Sequence, residues 1–351
     1  MLGRSFLFAV AFFGILLLSP AGHSSSEVTS SEVTDVATIE HDLEVIGGVE
    51  WCRTPLEVSR EVVAAGGCSL KTLNRQDSAV GFIDDAVWLK LKLRNSSAED
   101  LEPWLQVGHP RLTDVTVFQQ ENDGRWRTDR TGYGVPRAER SLIATYYDVI
   151  PVRVAAAGSS DVWVRIESRA RIKLEIRVWN GHAYRGFRQA STAWIAASCG
   201  ALLFGLIFSL MMLTSSRQAQ YAYFALVLVG QFILSVMTSG VLLRLVWPKA
   251  LPVPIELTSV GGMLLALGSF GFLEKIIPAI KDMREEYLAI RCLMVTVLAF
   301  QFISISLDYS FGSTIWSTLS VPLVALTAWV AFRAWRQGDT FAIWIAVAFF
   351  L

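Results

Sequence analysis

Residues 87–94 read Val-Trp-Leu-Lys-Leu-Lys-Leu-Arg, an unbroken alternation that ends in the turn cluster Asn95-Ser96-Ser97. A period of two places successive side chains on opposite faces, so this run predicts a strand with one buried face. Runs of the same kind follow at 104–107, 114–118, 147–154, 161–167 and 172–179, and Asn122-Asp123-Gly124 predicts a hairpin into Arg125-Trp126-Arg127. In this half of the chain 56–65 could form a short helix, stopped by Gly66-Gly67. Short strands punctuated by turns predict an all-β jelly roll or β-sandwich over residues 45–184.

Near residue 190 the pattern changes. Residues 191–214, 221–243, 257–273, 292–307 and 312–332 are apolar runs without a charged side chain. Each approaches or reaches the length a helix needs to cross a hydrocarbon layer about 30 Å thick. A sixth run opens at Phe341 and reaches Leu351, which covers only about 16 Å as a helix. A membrane helix stopped at mid-bilayer leaves carbonyls unpaired, so the pattern predicts a chain that continues past Leu351, with an output domain beyond it. Arg185-Gly186-Phe187-Arg188 predicts a basic hinge, 185–190, ahead of an all-α polytopic transmembrane bundle over 191–351. The predicted fold class is a two-part membrane protein, a β-sandwich followed by that bundle.

Ahead of the strands lie two further segments. Residues 1–24 follow the signal-peptide pattern: Arg4, an apolar stretch at 6–18, then Ser19-Pro20-Ala21. The Ser-, Thr- and Glu-rich stretch 25–44 predicts a flexible leader.

Charge adds orientation. The formal net charge is zero, which gives no ground for a nucleic-acid partner. With the β domain exported, Arg217, Lys275, Lys281, Arg284, Arg291, Arg333 and Arg336 fall on the inner side. The intervening outer loops hold Arg244 and Lys249, so the asymmetry has the sign of the positive-inside rule. In an exported domain Cys52 and Cys68 predict a disulfide, with two unpaired thiols as the alternative. Cys199 and Cys292 sit in apolar spans and read as packing residues.

Little catalytic chemistry is visible. No glycine-rich phosphate loop and no Cys or His pair at metal-ligand spacing occurs, so the reading assigns no cofactor, no metal and no enzyme activity to this chain. A transporter or permease with an external binding module is the alternative function, but transporters bury charged groups within spans that here have none. An exported membrane-anchored enzyme lacks a visible nucleophile–base or paired-carboxylate constellation. Aromatic rings offer binding chemistry instead, because ring faces stack on sugars and other flat apolar ligands. Trp88, Trp104 and Trp163 lie inside strands and read as core. Trp126 follows a turn, and Tyr133 and Tyr146 occupy the longest loop region; these are the surface candidates, with Arg137 and Arg140 in the same loop as candidates for an anionic group and solvated loop charge as the alternative.

Several segments, in order, resemble a known family. Trp88-Leu89-Lys90-Leu91-Lys92-Leu93-Arg94-Asn95, Leu112-Thr113-Asp114-Val115-Thr116-Val117-Phe118, Thr131-Gly132-Tyr133-Gly134-Val135-Pro136 and Val162-Trp163-Val164-Arg165-Ile166-Glu167-Ser168 resemble the second type of extracellular domain in the bacterial seven-transmembrane receptors with diverse intracellular signalling modules (7TMR-DISM). Residues 216–223 look like that family's first inner loop, and 240–248 like its characteristic outer loop. The resemblance implies a jelly-roll sensor likened to carbohydrate-binding modules, a seven-helix bundle, and a cytoplasmic output such as a diguanylate cyclase or histidine kinase. It also implies the bacterial inner membrane as the location, with the β domain in the periplasm. The expected partners are a small ligand of carbohydrate-like class, the lipid bilayer and a second copy of the chain in a homodimer.

Overall fold

The computed structural model describes residues 26–28, 33–45, 48–108, 112–120, 124–136, 138–140, 149–239, 255–276, 283–306 and 309–338. The expected signal peptide, Arg137, Tyr146 and the apolar run from Phe341 lie outside the described residues. The chain divides into two compact units, one built on residues 22–193 and one on the apolar helices.

The first unit is all-β. Its strands are β1 (Ser26–Val28), β2 (Thr34–Asp35), β3 (Asp42–Val45), β4 (Val49–Thr54), β5 (Lys71–Thr72), β6 (Ala79–Gly81) and β7 (Ala86–Arg94). They continue as β8 (Trp104–Val107), β9 (Asp114–Gln120), β10 (Trp126–Thr131), β11 (Val149–Pro151), β12 (Ser159–Glu167), β13 (Ile172–Lys173) and β14 (Ile176–Trp179). One sheet runs β10-β9-β12-β7-β4-β5, with β2 beside the end of β7; the other runs β1-β3-β14-β8-β11. The chain passes back and forth between them, as in a jelly roll.

Alternation explains what lies inside. Val87, Leu89, Leu91 and Leu93 of β7, Val162, Val164 and Ile166 of β12, and Val115 and Val117 of β9 point inward. They meet Leu43, Val45, Leu105, Val107, Ile150, Ile176 and Val178 of the other sheet in one apolar core. The leader departs from the sequence expectation. Within 25–44, β1, β2 and β3 are paired strands, β3 lying beside β14 through Leu43↔Val178. Leu43 joins the core, and that burial is what orders a stretch whose composition looks unstructured.

Among the described residues, five helices are long and apolar enough to cross a membrane, and they build the second unit. They are α1 (Gly181–Ser216), α2 (Ala219–Ser239), α3 (Leu257–Ile276), α4 (Arg284–Ser306) and α5 (Tyr309–Arg336). The segment 185–190, expected as a hinge, is helical and internal to α1, which starts two residues after β14. Small residues let helices approach closely where no hydrophobic force draws them together. On α3 Gly261, Gly262, Ala266, Gly268 and Gly271 are buried. Ser259 and Ser304 share a hydrogen bond of 2.9 Å between α3 and α4.

Among the described helix glycines, the tightest approach to a neighbouring backbone is at Gly230 of α2. A Cβ there would lie 2.5 Å from Leu265 N and 2.7 Å from Gly261 O, both backbone atoms that cannot turn aside. Gly230→Ala is therefore expected to destabilise the bundle by about 1–3 kcal/mol. Gly200→Ala on α1, where nothing lies within 4 Å, is expected to gain up to about 1 kcal/mol of helix propensity. Unfolding of the chain in mixed micelles with rising dodecyl sulfate measures both. Equal midpoints for the two variants would show that the α2–α3 crossing is looser than described.

Candidate functional site

Aromatic rings occupy the polar phase of the seven-stranded sheet. Outward positions line up across strands as Thr128–Phe118–Trp163–Lys90–Glu50 and Thr116–Arg165–Trp88–Cys52. Directly opposed residues share a face, so Phe118, Trp163 and Trp88 stand on the side away from the core, with Trp126 at the neighbouring edge. Trp88 is nonetheless 0% exposed and Trp163 6%. Their cover is residues 55–70.

This covering segment is a strap with several fastenings. Cys52 and Cys68 are joined by a disulfide, Cα to Cα 6.2 Å. Trp88 Nε1 donates to Thr54 Oγ1 at 3.0 Å, and the Arg165 guanidinium donates to the Leu56 carbonyl. The expected helix at 56–65 shrinks to the turn Arg60–Val62, which passes into a π turn at Val63–Gly67. Gly66 closes that turn at φ 93°, a left-handed conformation that costs glycine little. Val63 is buried against Trp88 and Trp163, with Val58, Leu70 and Cys68 packed around them.

Cations cover the rings. The Arg60 guanidinium lies 3.6 Å from the Trp126 ring centre and 5.8 Å from that of Phe118. Lys90 stands 5.4 Å from Trp163, and Arg165 5.8 Å from Trp88. Arg60 also pairs with Glu61 at 2.7 Å. The Glu61 carboxyl is held down to about 2, first by a backbone hydrogen bond and next by Arg60.

The structure does not gather the sequence candidates at one place. Trp126 is half-buried beneath Arg60, so its ring face is not bare. Tyr133 is only 5% exposed, a correction to its expected surface role. It lies beyond the far end of β10 from Trp126, its N–H donating to the Leu112 carbonyl at 2.9 Å. That bond draws the loop against the sheet. Arg140 Nε donates to the Val135 carbonyl at 2.8 Å and serves the same loop. Among the described residues no group of acidic, His or Cys side chains could hold a metal.

The outer face of the five-stranded sheet is built for something else. Trp179 lies opposite both Trp104 and Asp42, and Arg177 opposite Gln106 and Glu44. Trp179 Nε1 donates to Gln106 Oε1 at 2.9 Å inside the protein. Arg177 bonds Glu175 at 3.0 Å and Asp42 at 3.4 Å. Burial pushes the Glu175 carboxyl up, but Lys173 and Arg177 outweigh it and hold it below its ordinary value.

Onto this face comes the start of α1. Asn180 caps it: its side-chain oxygen accepts from His182 N at 2.9 Å, and its own N–H donates to the His41 carbonyl at 2.9 Å. Tyr184 is 0% exposed, with ring centres 5.2 Å from Trp104 and 5.3 Å from Trp179. Phe187 follows, 4.9 Å from Trp179. Two turns of α1 are thus part of the sandwich's packing, a contact that the apolar pattern of the span did not reveal.

Residues 60–180 match the family described as 7TMR-DISM extracellular 2, and residues 191–351 match that described as 7TM diverse intracellular signalling. No curated protein matches the chain.

Proposed function

Since the chain belongs to the 7TMR-DISM family, with its extracellular sensor domain and its membrane domain in order, we propose that it is a bacterial inner-membrane receptor whose periplasmic β-sandwich senses a small ligand of carbohydrate-like class. The observation that carries this reading is the seating of α1. The last strand of the sandwich passes through one residue, Asn180, into a helix that runs unbroken to Ser216. Its first turns are locked to the sheet by Trp104, Trp179, Tyr184 and Phe187. In this reading a change of sheet geometry on ligand binding is passed to the start of α1 and along that helix to the first span. A ligand acts on such a device only by binding its two states unequally. The signal passes to an output domain, a diguanylate cyclase or histidine kinase, within a homodimer.

Two measurements test this. Cysteines introduced at exposed Ser159 and Gln337 are treated with a membrane-impermeant maleimide in spheroplasts, against the background of Cys199 and Cys292. Labelling of Ser159→Cys from outside and of Gln337→Cys only after lysis is expected; the reverse overturns the orientation. Spin labels at Ser215 and Gln337 in nanodiscs then report the inner ends of α1 and α5. Their separation is expected to change when the Cys52–Cys68 bond is reduced, and a constant separation counts against the relay.

A further inference from the structure

Among the described residues several cations cover rings of the β-sandwich, and Arg60 differs from those on the strands. Lys90 and Arg165 rise from β7 and β12, and Arg53, 5.8 Å from Trp51, from β4. These belong to paired strands, so the sheet itself fixes their backbones beside the rings. Arg60 is delivered from outside the sheet, by the strap. Its turn is far shorter than a helix that is stable by itself. Its side chain is nevertheless only 13% exposed, held in the corner between Trp126 and Phe118.

That corner follows from register. Trp126 opposes Gln120 and Phe118 opposes Thr128, so the two rings are diagonal neighbours on adjacent antiparallel strands. Ring faces carry negative potential and attract weakly hydrated cations, most strongly when water is excluded. Two ring faces set at such a corner can hold a flat or quaternary cation, and here the protein's own guanidinium fills it.

We propose that the Phe118–Trp126 corner is a binding site for a small organic cation bearing a guanidinium or quaternary ammonium group, with Arg60 as the built-in occupant that the ligand displaces. Displacement frees the strap at its middle while the Cys52–Cys68 bond keeps its ends in place. The cover over Trp88 and Trp163 then loosens, which couples occupancy to the outer face of the sheet. The exposed Glu61 carboxylate, ionised down to about pH 2, is at hand for the incoming charge. This assignment rests on the sensory reading above and adds to it a site for a cationic group, separate from the carbohydrate-like class proposed there.

The test uses the full chain in nanodiscs, labelled with 5-fluorotryptophan, the Trp126 fluorine resonance being assigned with Trp126→Phe. Methylguanidinium, tetramethylammonium, sodium and cellobiose are titrated at constant ionic strength. The two organic cations are expected to shift the Trp126 resonance and sodium to leave it in place. Arg60→Ala, and independently Arg60→Gln, are expected to tighten both organic cations about tenfold by removing the competitor, and Phe118→Ala to weaken them by a similar factor. In the unmodified chain, millimolar methylguanidinium is expected to speed tryptic cleavage at Arg60. Equal affinities with and without Arg60, or no cation response together with unchanged cleavage, overturn the proposal. A Trp126 shift with cellobiose alone overturns the cationic class and leaves the receptor reading standing. Cation binding that leaves the Ser215–Gln337 separation unchanged sinks the relay and leaves the site.

Discussion

Trp179→Ala is expected to lower the stability of the β-sandwich by about 3–5 kcal/mol, the cost of deleting a large buried ring. Three losses combine at this position. The indole leaves a void against Tyr184 and Phe187, whose ring centres lie 5.3 and 4.9 Å away. Gln106, itself buried, loses the donor at 2.9 Å and keeps an unpaired acceptor. The start of α1 loses most of its seat on the sheet, because Trp104 and Val149 are the sheet residues left to pack with Tyr184 in that cluster. Trp179→Phe separates these effects. It keeps most of the ring packing and removes the N–H, so about 1–3 kcal/mol is expected from the orphaned Gln106. Urea unfolding of the chain in nanodiscs, followed by near-ultraviolet circular dichroism, gives both values. The decisive readout is the Ser215–Gln337 separation. It is expected to respond to reduction of the disulfide in Trp179→Phe and to ignore it in Trp179→Ala. A response that survives Trp179→Ala would show that the sandwich communicates with the helices by another route.

The division into strands and apolar helices was legible because each rests on a period. Two-residue alternation in β7 and β12 specifies a sheet with one dry face, and uncharged runs near twenty residues specify spans. The same alternation carried a finer message that is easily missed. Trp88 shares its phase with Lys90 and Lys92, Trp163 with Asp161 and Arg165, and Phe118 with Thr116 and Gln120. Rings in the polar phase stand on the outer face, and buried rings there require a cover. Reading Trp88 and Trp163 as core was right about burial, but the aliphatic neighbours on which it rested face the other way. The cover itself was not legible. A segment such as 55–70 is held by one disulfide, an Arg165–Leu56 hydrogen bond and an Arg60–Trp126 stack, with the Trp88–Thr54 bond at its root, none of which repeats along the sequence. Tyr133 failed for a related reason. Loop position suggests exposure, but the Tyr133 N–H bond to Leu112 folds that loop inward. The hinge at 185–190 was inferred from charge and a glycine, whereas Tyr184 and Phe187 supply apolar contacts that favour continuing the helix into the sandwich.

Removing the strap's covalent fastening gives the second large effect. Cys52→Ala with Cys68→Ala is expected to cost about 3 kcal/mol, since the bond closes a loop sixteen residues in span and restricts the unfolded chain. Alanine is the proper replacement, because Cys52 is buried against Val63 and Trp88 and a serine would bring an unpaired hydroxyl. The folded state is affected as well. Without the bond, the C-terminal half of the strap is held by Val63 and Leu70 packing on two indoles and by the short pairing of β5 with β4 that follows it, while the Arg165–Leu56 bond, the Arg60–Trp126 stack and Val58 hold the N-terminal half. The strap is therefore expected to open from its Cys68 end, and tryptic cleavage at Lys71 to accelerate more than cleavage at Arg60. A melting curve of the double variant reports the first effect, and timed proteolysis below the melting temperature reports the second. Uniform protection of both sites in the variant would mean that ring packing alone holds the cover, and the disulfide would then be a brace for the unfolded chain with no part in gating the face beneath it.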